Sequence, residues 1–279
     1  MEQVRNSLLE NKGIQFSQCL TEVFDRISKL SVLDADILGL STGFFELDDM
    51  IGGMEAGDLI AVKGVQYTGV TSFLMNIALR TAKATQRPVL FFSKEETAVQ
   101  LTRRILSTES LVPIARIEKG KLTDIQLQRL MIATANLASV DIRFFDNVRD
   151  VSGIMKCCAE VDRPCVIIVD KLPDEDTDSV SQMHLLKQMA QKAQASVLCS
   201  CWLRDMSDYA LSGTDKVLHL ERRAAYAPFY DKSKTVCKIE RNTHGKNGEI
   251  ELYWEENTLT FFSVDHTKEK DIPAEDSDA

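Results

Sequence analysis

No stretch of eighteen consecutive apolar residues occurs in the 279-residue chain, so no segment predicts a membrane span. The opening MEQVRNSLLENKG is polar and mixed in charge and lacks the apolar core of a secretory leader, which predicts a cytoplasmic protein. Metal-binding spacings are missing as well. Seven cysteines occur, among them the neighbours Cys157 and Cys158 and the pair Cys199 and Cys201, but none form a C-x-x-C and the four histidines are scattered. An odd number of such thiols reads as reduced, buried cysteines, and predicts neither a disulfide framework nor a structural metal. Positive charge is also in deficit. The 33 Lys and Arg against 42 Asp and Glu leave a net charge of −9, which argues against a surface dedicated to polyanions without excluding a local basic groove. No internal repeat is visible.

What remains is a chain 44% hydrophobic and 27% charged, the composition of a globular protein with one large domain, or a domain plus an appendage. Residues 16–31, FSQCLTEVFDRISKLS, place Phe16, Leu20, Val23, Phe24, Ile27 and Leu30 at helical spacing, which predicts an amphipathic helix. The VLDADILG that follows reads as a linker. Residues 1–39 therefore form a helical appendage, 40–264 the main domain, and 265–279 an acidic tail too poor in apolar side chains to order itself. Within the main domain, short apolar runs alternate with helical stretches. The runs are LIAVKG (59–64), VLFFS after Pro88, DIRFF (141–145), CVIIVD (165–170), SVLCSC (196–201) and KVLHLE (216–221). The helices fall at about 72–84, 96–110, 123–138 and 180–194, the last with Val180, Met183, Leu186, Met189, Ala190 and Ala193 on one side. This alternation predicts an α/β fold with a mostly parallel twisted sheet flanked by helices. KTVCKIER, GEIELYW and TLTFFSV, split by HGKNG and EEN, predict C-terminal antiparallel hairpins.

Residues 64–71 read GVQYTGVT, after a predicted strand and opening a predicted helix. That is the context of a phosphate loop, G-x-x-x-x-G-K-[ST], whose backbone N–H groups and helix N-terminus cradle phosphate oxygens. Gly64 and Gly69 let the chain wrap, Thr71 stands where a hydroxyl coordinates Mg²⁺, and Ser72 continues the helix start. Position 70, where a lysine reaches the β- and γ-phosphates, is Val70. A preorganised donor aimed at transition-state charge is worth on the order of 10²–10³ in rate, so hydrolysis is expected to suffer more than binding. Lys63, just before the loop, either swings in to replace that charge or is solvated at the strand end. Asp170 closes the CVIIVD strand, where a carboxylate can hold Mg²⁺ or its water, or can instead cap a helix or turn. Glu95 and Glu96 end the second strand at the edge where ligands bind in such sheets, and one of them could serve as a general base.

The stretch LSTGFFELDDMIGGMEAGDLIAVKG resembles the opening segment of the RecA-like motor domain of DnaB-type replicative DNA helicases. NIAL, PVLFFSKEET, EKGKLTD with LQRL, DIRFFD, CVIIVD and ERNTHGKNGEIEL are similar to later family segments in the right order, so the likeness runs over about residues 16–263. The resemblance implies a RecA-like P-loop NTPase using ATP and Mg²⁺, with Glu95 as the base and Arg241 as an arginine finger. It also implies that residues 16–31 are a linker helix docking on a neighbouring subunit of a ring; a helix folded back on its own domain is the other reading. The family's N-terminal collar domain has only about 15 residues to correspond to here. Departures gather where the chemistry sits. Trp202 replaces a phosphate-sensing glutamine, Ile239 stands at the lysine position beside Arg241, and the loop after Asp170 reads PDEDTDS, too acidic for single-stranded DNA. The expectation is a catalytically impaired member acting as a regulatory, loading or scaffold subunit in replication or recombination. Two alternatives are an active ATP-dependent helicase with a deviant loop and a RecA-fold ATPase of signalling or repair.

Overall fold

The computed structural model describes residues 13–33, 37–171, 179–202, 210–222 and 233–263. The nine strands among them are β1 (Leu59–Gly64), β2 (Val89–Ser93), β3 (Ile142–Phe145), β4 (Val166–Asp170), β5 (Ser196–Trp202), β6 (Lys216–Glu221), β7 (Lys234–Asn242), β8 (Gly248–Glu255) and β9 (Thr260–Ser263). They form one sheet in the order β3-β2-β4-β5-β1-β6-β7-β8-β9. Pairing is parallel from β3 to β6 and antiparallel from β6 to β9, as the alternation of apolar runs and the C-terminal hairpin signals predict.

The helices are α1 (Phe16–Leu33), α2 (Phe45–Ile51), α3 (Val70–Thr85), α4 (Ala98–Ser110), α5 (Ile114–Lys119), α6 (Asp124–Leu137), α7 (Val151–Ala159) and α8 (Ser179–Ala193). Helices α2, α5 and α7 are absent from the sequence reading, because six to nine residues are too few for a periodic pattern to emerge. The longer ones have local start signals. Thr97 and Thr123 each accept from the N–H three residues on, while Gln100 and Gln126 return the bond, so α4 and α6 open on capping boxes.

Two cores sandwich the sheet. On one face, Phe73, Leu74 and Ile77 of α3 pack on Ile60, Val62, Phe91 and Ile168, with Phe73 stacked on Phe44 at 5.1 Å and edge-on to Phe261 at 5.6 Å. On the other, Met183, Leu186, Met189 and Ala190 of α8 and Ile154 of α7 cover Leu59, Ala61, Ile167 and Val197. Alternate residues of each central strand thus face opposite cores, which is why these strands are continuously apolar. The opening segment is held by a buried carboxylate. Asp48 accepts from the Thr42 N–H and hydroxyl, both at 2.8 Å, and from the Ser41 hydroxyl at 2.5 Å.

Along α1, Phe16, Val23, Phe24 and Ile27 are more than half exposed. No helix among the described residues is long and apolar enough to cross a membrane. The acidic stretch 173–178 and the tail 265–279 lie outside the described residues.

Candidate functional site

The carboxyl ends of β1, β2, β4 and β5 meet at a cleft of about 390 Å³ lined by Gly64, Gly69, Val70, Thr71, Ser72, Glu95 and Asp170. These residues lie far apart in sequence. The parallel order β2-β4-β5-β1 brings the ends of their strands together, because every crossover helix returns the chain to the same starting edge.

The loop is tightly wrapped. A Cβ at Gly64 would lie 2.5 Å from the Thr68 hydroxyl and 2.8 Å from Val70 Cγ2. Gly69 opens α3 with φ +91°, and a Cβ there would lie 3.1 Å from Phe261. Tyr67 sits at the tip, 85% exposed, with φ +70°. A non-glycine residue in that region is strained, and such strain collects at ligand-binding turns. The loop turn is closed by Thr68, whose N–H and hydroxyl both donate to the Val65 carbonyl, at 3.2 and 2.7 Å. Val70 packs against the α3 core, so an isopropyl group closes the loop.

Thr71 and Asp170 lie side by side, their side chains hydrogen-bonded. Asp170 is buried and accepts from Ser200 at 2.7 Å. Burial pushes its carboxyl above the ordinary value, against the pull of Ser200, Thr71 and the Lys171 charge. A hydroxyl and a carboxylate so placed are the oxygen donors Mg²⁺ takes beside phosphates. Glu95 forms an ion pair with Lys171, the residue after Asp170. Glu96 instead holds Arg104 of α4 at 2.7 Å, and the Arg104 guanidinium reaches the Ser72 hydroxyl at 3.3 Å.

Some expected residues lie elsewhere. Lys63 does not enter the cleft: its ammonium is 2.5 Å from Glu240. Ile239 is buried in the core. Arg241 is outside this cleft too, donating to the Leu211 carbonyl at 2.5 Å. A bulge in the β6–β7 pairing, where Val217 pairs with Arg241 and Leu218 with Ile239, leaves Glu240 as the extra residue and re-aims the strand there. Of Trp202 only the backbone, ending β5, belongs to the described structure.

The sequence reading missed Lys171, Ser200, Arg104, Arg222, Trp254 and Glu256, which also line the cleft. Ser200 had a signal, as a polar residue in the buried run SVLCSC. Lys171 adjoins Asp170. Arg104, Arg222 and Trp254 carry no local signal, since distant elements bring them in: Arg222 donates to the Tyr67 carbonyl at 3.1 Å and lies 5.6 Å from the Trp254 ring.

Residues 39–263 match the model of the DnaB-like helicase C terminal domain. A replicative DNA helicase DnaB of Geobacillus stearothermophilus is 34% identical over 158 residues, 55% of this chain and 35% of that protein. The replicative DNA helicase DnaC of Bacillus subtilis is 31% identical over 194 residues, 64% of this chain and 42% of its own length. A probable replicative DNA helicase of Trieres chinensis is 30% identical over 182 residues, 63% of this chain and 39% of that protein. The chain thus matches well under half the length of these relatives. Among solved structures, an ATPase domain superposes with a TM-score of 0.83 at 18% identity, covering 91% of this chain and all of that one. A DnaB-like replicative helicase, described with its interactions with primase, superposes with a TM-score of 0.78 at 17% identity over 91% of this chain and 68% of its own. At such identities these two matches establish the fold, and the family model, spanning most of the chain, establishes the kinship: this protein belongs to the DnaB-like helicase C-terminal domain family.

Proposed function

We propose that this chain is a helicase-derived RecA-like subunit that binds a nucleoside triphosphate with Mg²⁺ at the Gly64–Thr71 cleft and turns it over negligibly. In this reading it serves replication or recombination as a regulatory, loading or scaffold subunit. Val70 carries the proposal. The backbone cradle, the Thr71 hydroxyl and the buried Asp170 carboxylate suit a metal-bound phosphate, and Mg²⁺ held there would neutralise charge between the two terminal phosphates. The charged donor that should follow them into the transition state is replaced by a side chain packed on the core. Removing one such donor slows chemistry on the order of 10²–10³. The residue positioned as base, Glu95, is moreover held by Lys171.

Assembly is the part of the helicase design that the chain keeps available. The apolar face of α1, with Phe16 and Phe24 exposed, suits docking on the RecA-like face of another copy or of a DnaB-type ring. Arg241, tied to its own Leu211 carbonyl, then serves such an interface rather than catalysis. Single-stranded DNA is not part of this function, because the 173–179 sequence PDEDTDS carries four carboxylates in the loop that would have to grip phosphate.

The test is ATP turnover by the purified protein with and without single-stranded DNA. Negligible turnover is expected in both, and Val70→Lys alone is expected not to restore it. A rate of about one per second, ordinary for an enzyme, that disappears in Asp170→Ala would overturn the proposal in favour of a working helicase motor.

A further inference from the structure

The cleft is short of positive charge in a specific way. Among the described residues its lining carries four carboxylates, Glu95, Glu96, Asp170 and Glu256, against three cations, Lys171, Arg104 and Arg222. A triphosphate entering it would meet the cradle N–H groups but no loop lysine, and these three are the described cations that could take its part.

All three already have partners. Arg222 donates to the Tyr67 carbonyl at the loop tip and lies over Trp254. Arg104 is held at 2.7 Å by Glu96 and reaches the Ser72 hydroxyl on the first turn of α3. Lys171 differs in both position and chemistry. It follows Asp170 directly, so it stands beside Thr71 and Asp170, the two residues that would hold Mg²⁺. Its backbone is in the left-handed region, φ +65°, held by its N–H donating to Ser200 at 2.5 Å. That turn brings the side chain to Glu95, across the cleft on the neighbouring strand end. Its ammonium is a compact point charge with three donors on a flexible stem, as the loop lysine's is.

We infer that Lys171 replaces the missing loop lysine as the cation that binds the terminal phosphate of the nucleotide, bridging it to Glu95. The inference rests on the reading above that the cleft binds a triphosphate. It also explains how binding and hydrolysis come apart. An ammonium shared between Glu95 and the phosphate would occupy the side of Glu95 from which a base holds the attacking water, so the contact that secures the nucleotide would keep water from being positioned.

The experiment is calorimetric titration of the whole chain with ATP, ADP and AMP in the presence of Mg²⁺. Lys171→Met is expected to weaken ATP binding on the order of 10- to 100-fold, the range for a hydrogen-bonded charge, and to leave AMP binding unchanged. Lys171→Arg, which keeps the charge, should stay within about threefold of the parent for ATP. Adding Val70→Lys to Lys171→Met should recover most of the lost affinity. The inference is overturned if Lys171→Met binds ATP as the parent does, or if Arg104→Gln abolishes ATP binding while Lys171→Met does not. A parent protein that binds no ATP at all overturns it together with the reading that the cleft binds a triphosphate, whereas a parent that binds ATP as tightly as Lys171→Met does overturns the inference alone. Rapid turnover by the parent removes the reading of a hydrolytically silent subunit instead.

Discussion

Lys216 is fully buried, at the start of β6, with its ammonium 2.5 Å from Asp58 and 3.1 Å from the Gly53 carbonyl. Asp58, just before β1, is 5% exposed at its side chain and accepts one further bond, from the Glu55 N–H at 3.0 Å. Lys216→Met keeps the length and removes the charge, which leaves a buried carboxylate with a single backbone donor. Breaking a buried pair from one side costs about 3–5 kcal/mol, against a total stability of about 5–15 kcal/mol for a domain. At roughly 2–4 °C per kcal/mol for a chain of this size, the melting temperature should fall by about 6–20 °C. Adding Asp58→Asn removes the orphaned charge as well, so the double variant should be more stable than Lys216→Met alone by more than about 1 kcal/mol. Urea unfolding gives both free energies, provided the slope with denaturant stays constant. The pair lies at the opposite end of β1 from the phosphate loop, about 20 Å away for six extended residues, so nucleotide affinity should not change. A loss under about 1 kcal/mol in Lys216→Met, or a double variant no more stable than the single one, would refute the reasoning.

Two further expectations concern the cleft itself. Gly69→Ala puts a methyl 3.1 Å from Phe261 in a backbone at φ +91°, so it should cost about 2 kcal/mol of stability and weaken ATP binding at least tenfold; an unchanged melt and titration would contradict the loop geometry. Asp170→Asn tests the buried carboxyl through pH. Burial lifts the folded Asp170 above the ordinary aspartate value, so within that window the folded chain holds a proton that the unfolded chain has lost, and stability falls as pH rises through it. Asn cannot lose that proton, so at pH 7.5 the variant should melt higher than the parent while losing the Mg²⁺ dependence of ATP binding. A variant that melts lower at pH 7.5 and higher in acid would show the sign to be wrong.

The α/β layering, the parallel core and the C-terminal hairpins were legible because each rests on local periodicity. Buried parallel strands must be apolar on both faces, and helices ten or more residues long declare their inner side. The GVQYTGVT loop was legible because its glycines answer a backbone need within eight residues. Short helices such as Val151–Ala159 were not, since an Asp150 cap and two turns make no recognisable pattern. The charge balance of the cleft was hidden for a different reason. Lys63 and Lys171 look equivalent as strand-end lysines, but the β6–β7 bulge places Glu240 beside the first while the left-handed turn after β4 aims the second at Glu95. What the sequence by itself determined is therefore the lineage, and that Val70 stands where the G-x-x-x-x-G-K-[ST] pattern has its lysine. What only the tertiary structure decided is which cations surround that loop, because a side chain's electrostatic neighbours are set by strand order and backbone handedness, not by distance along the chain.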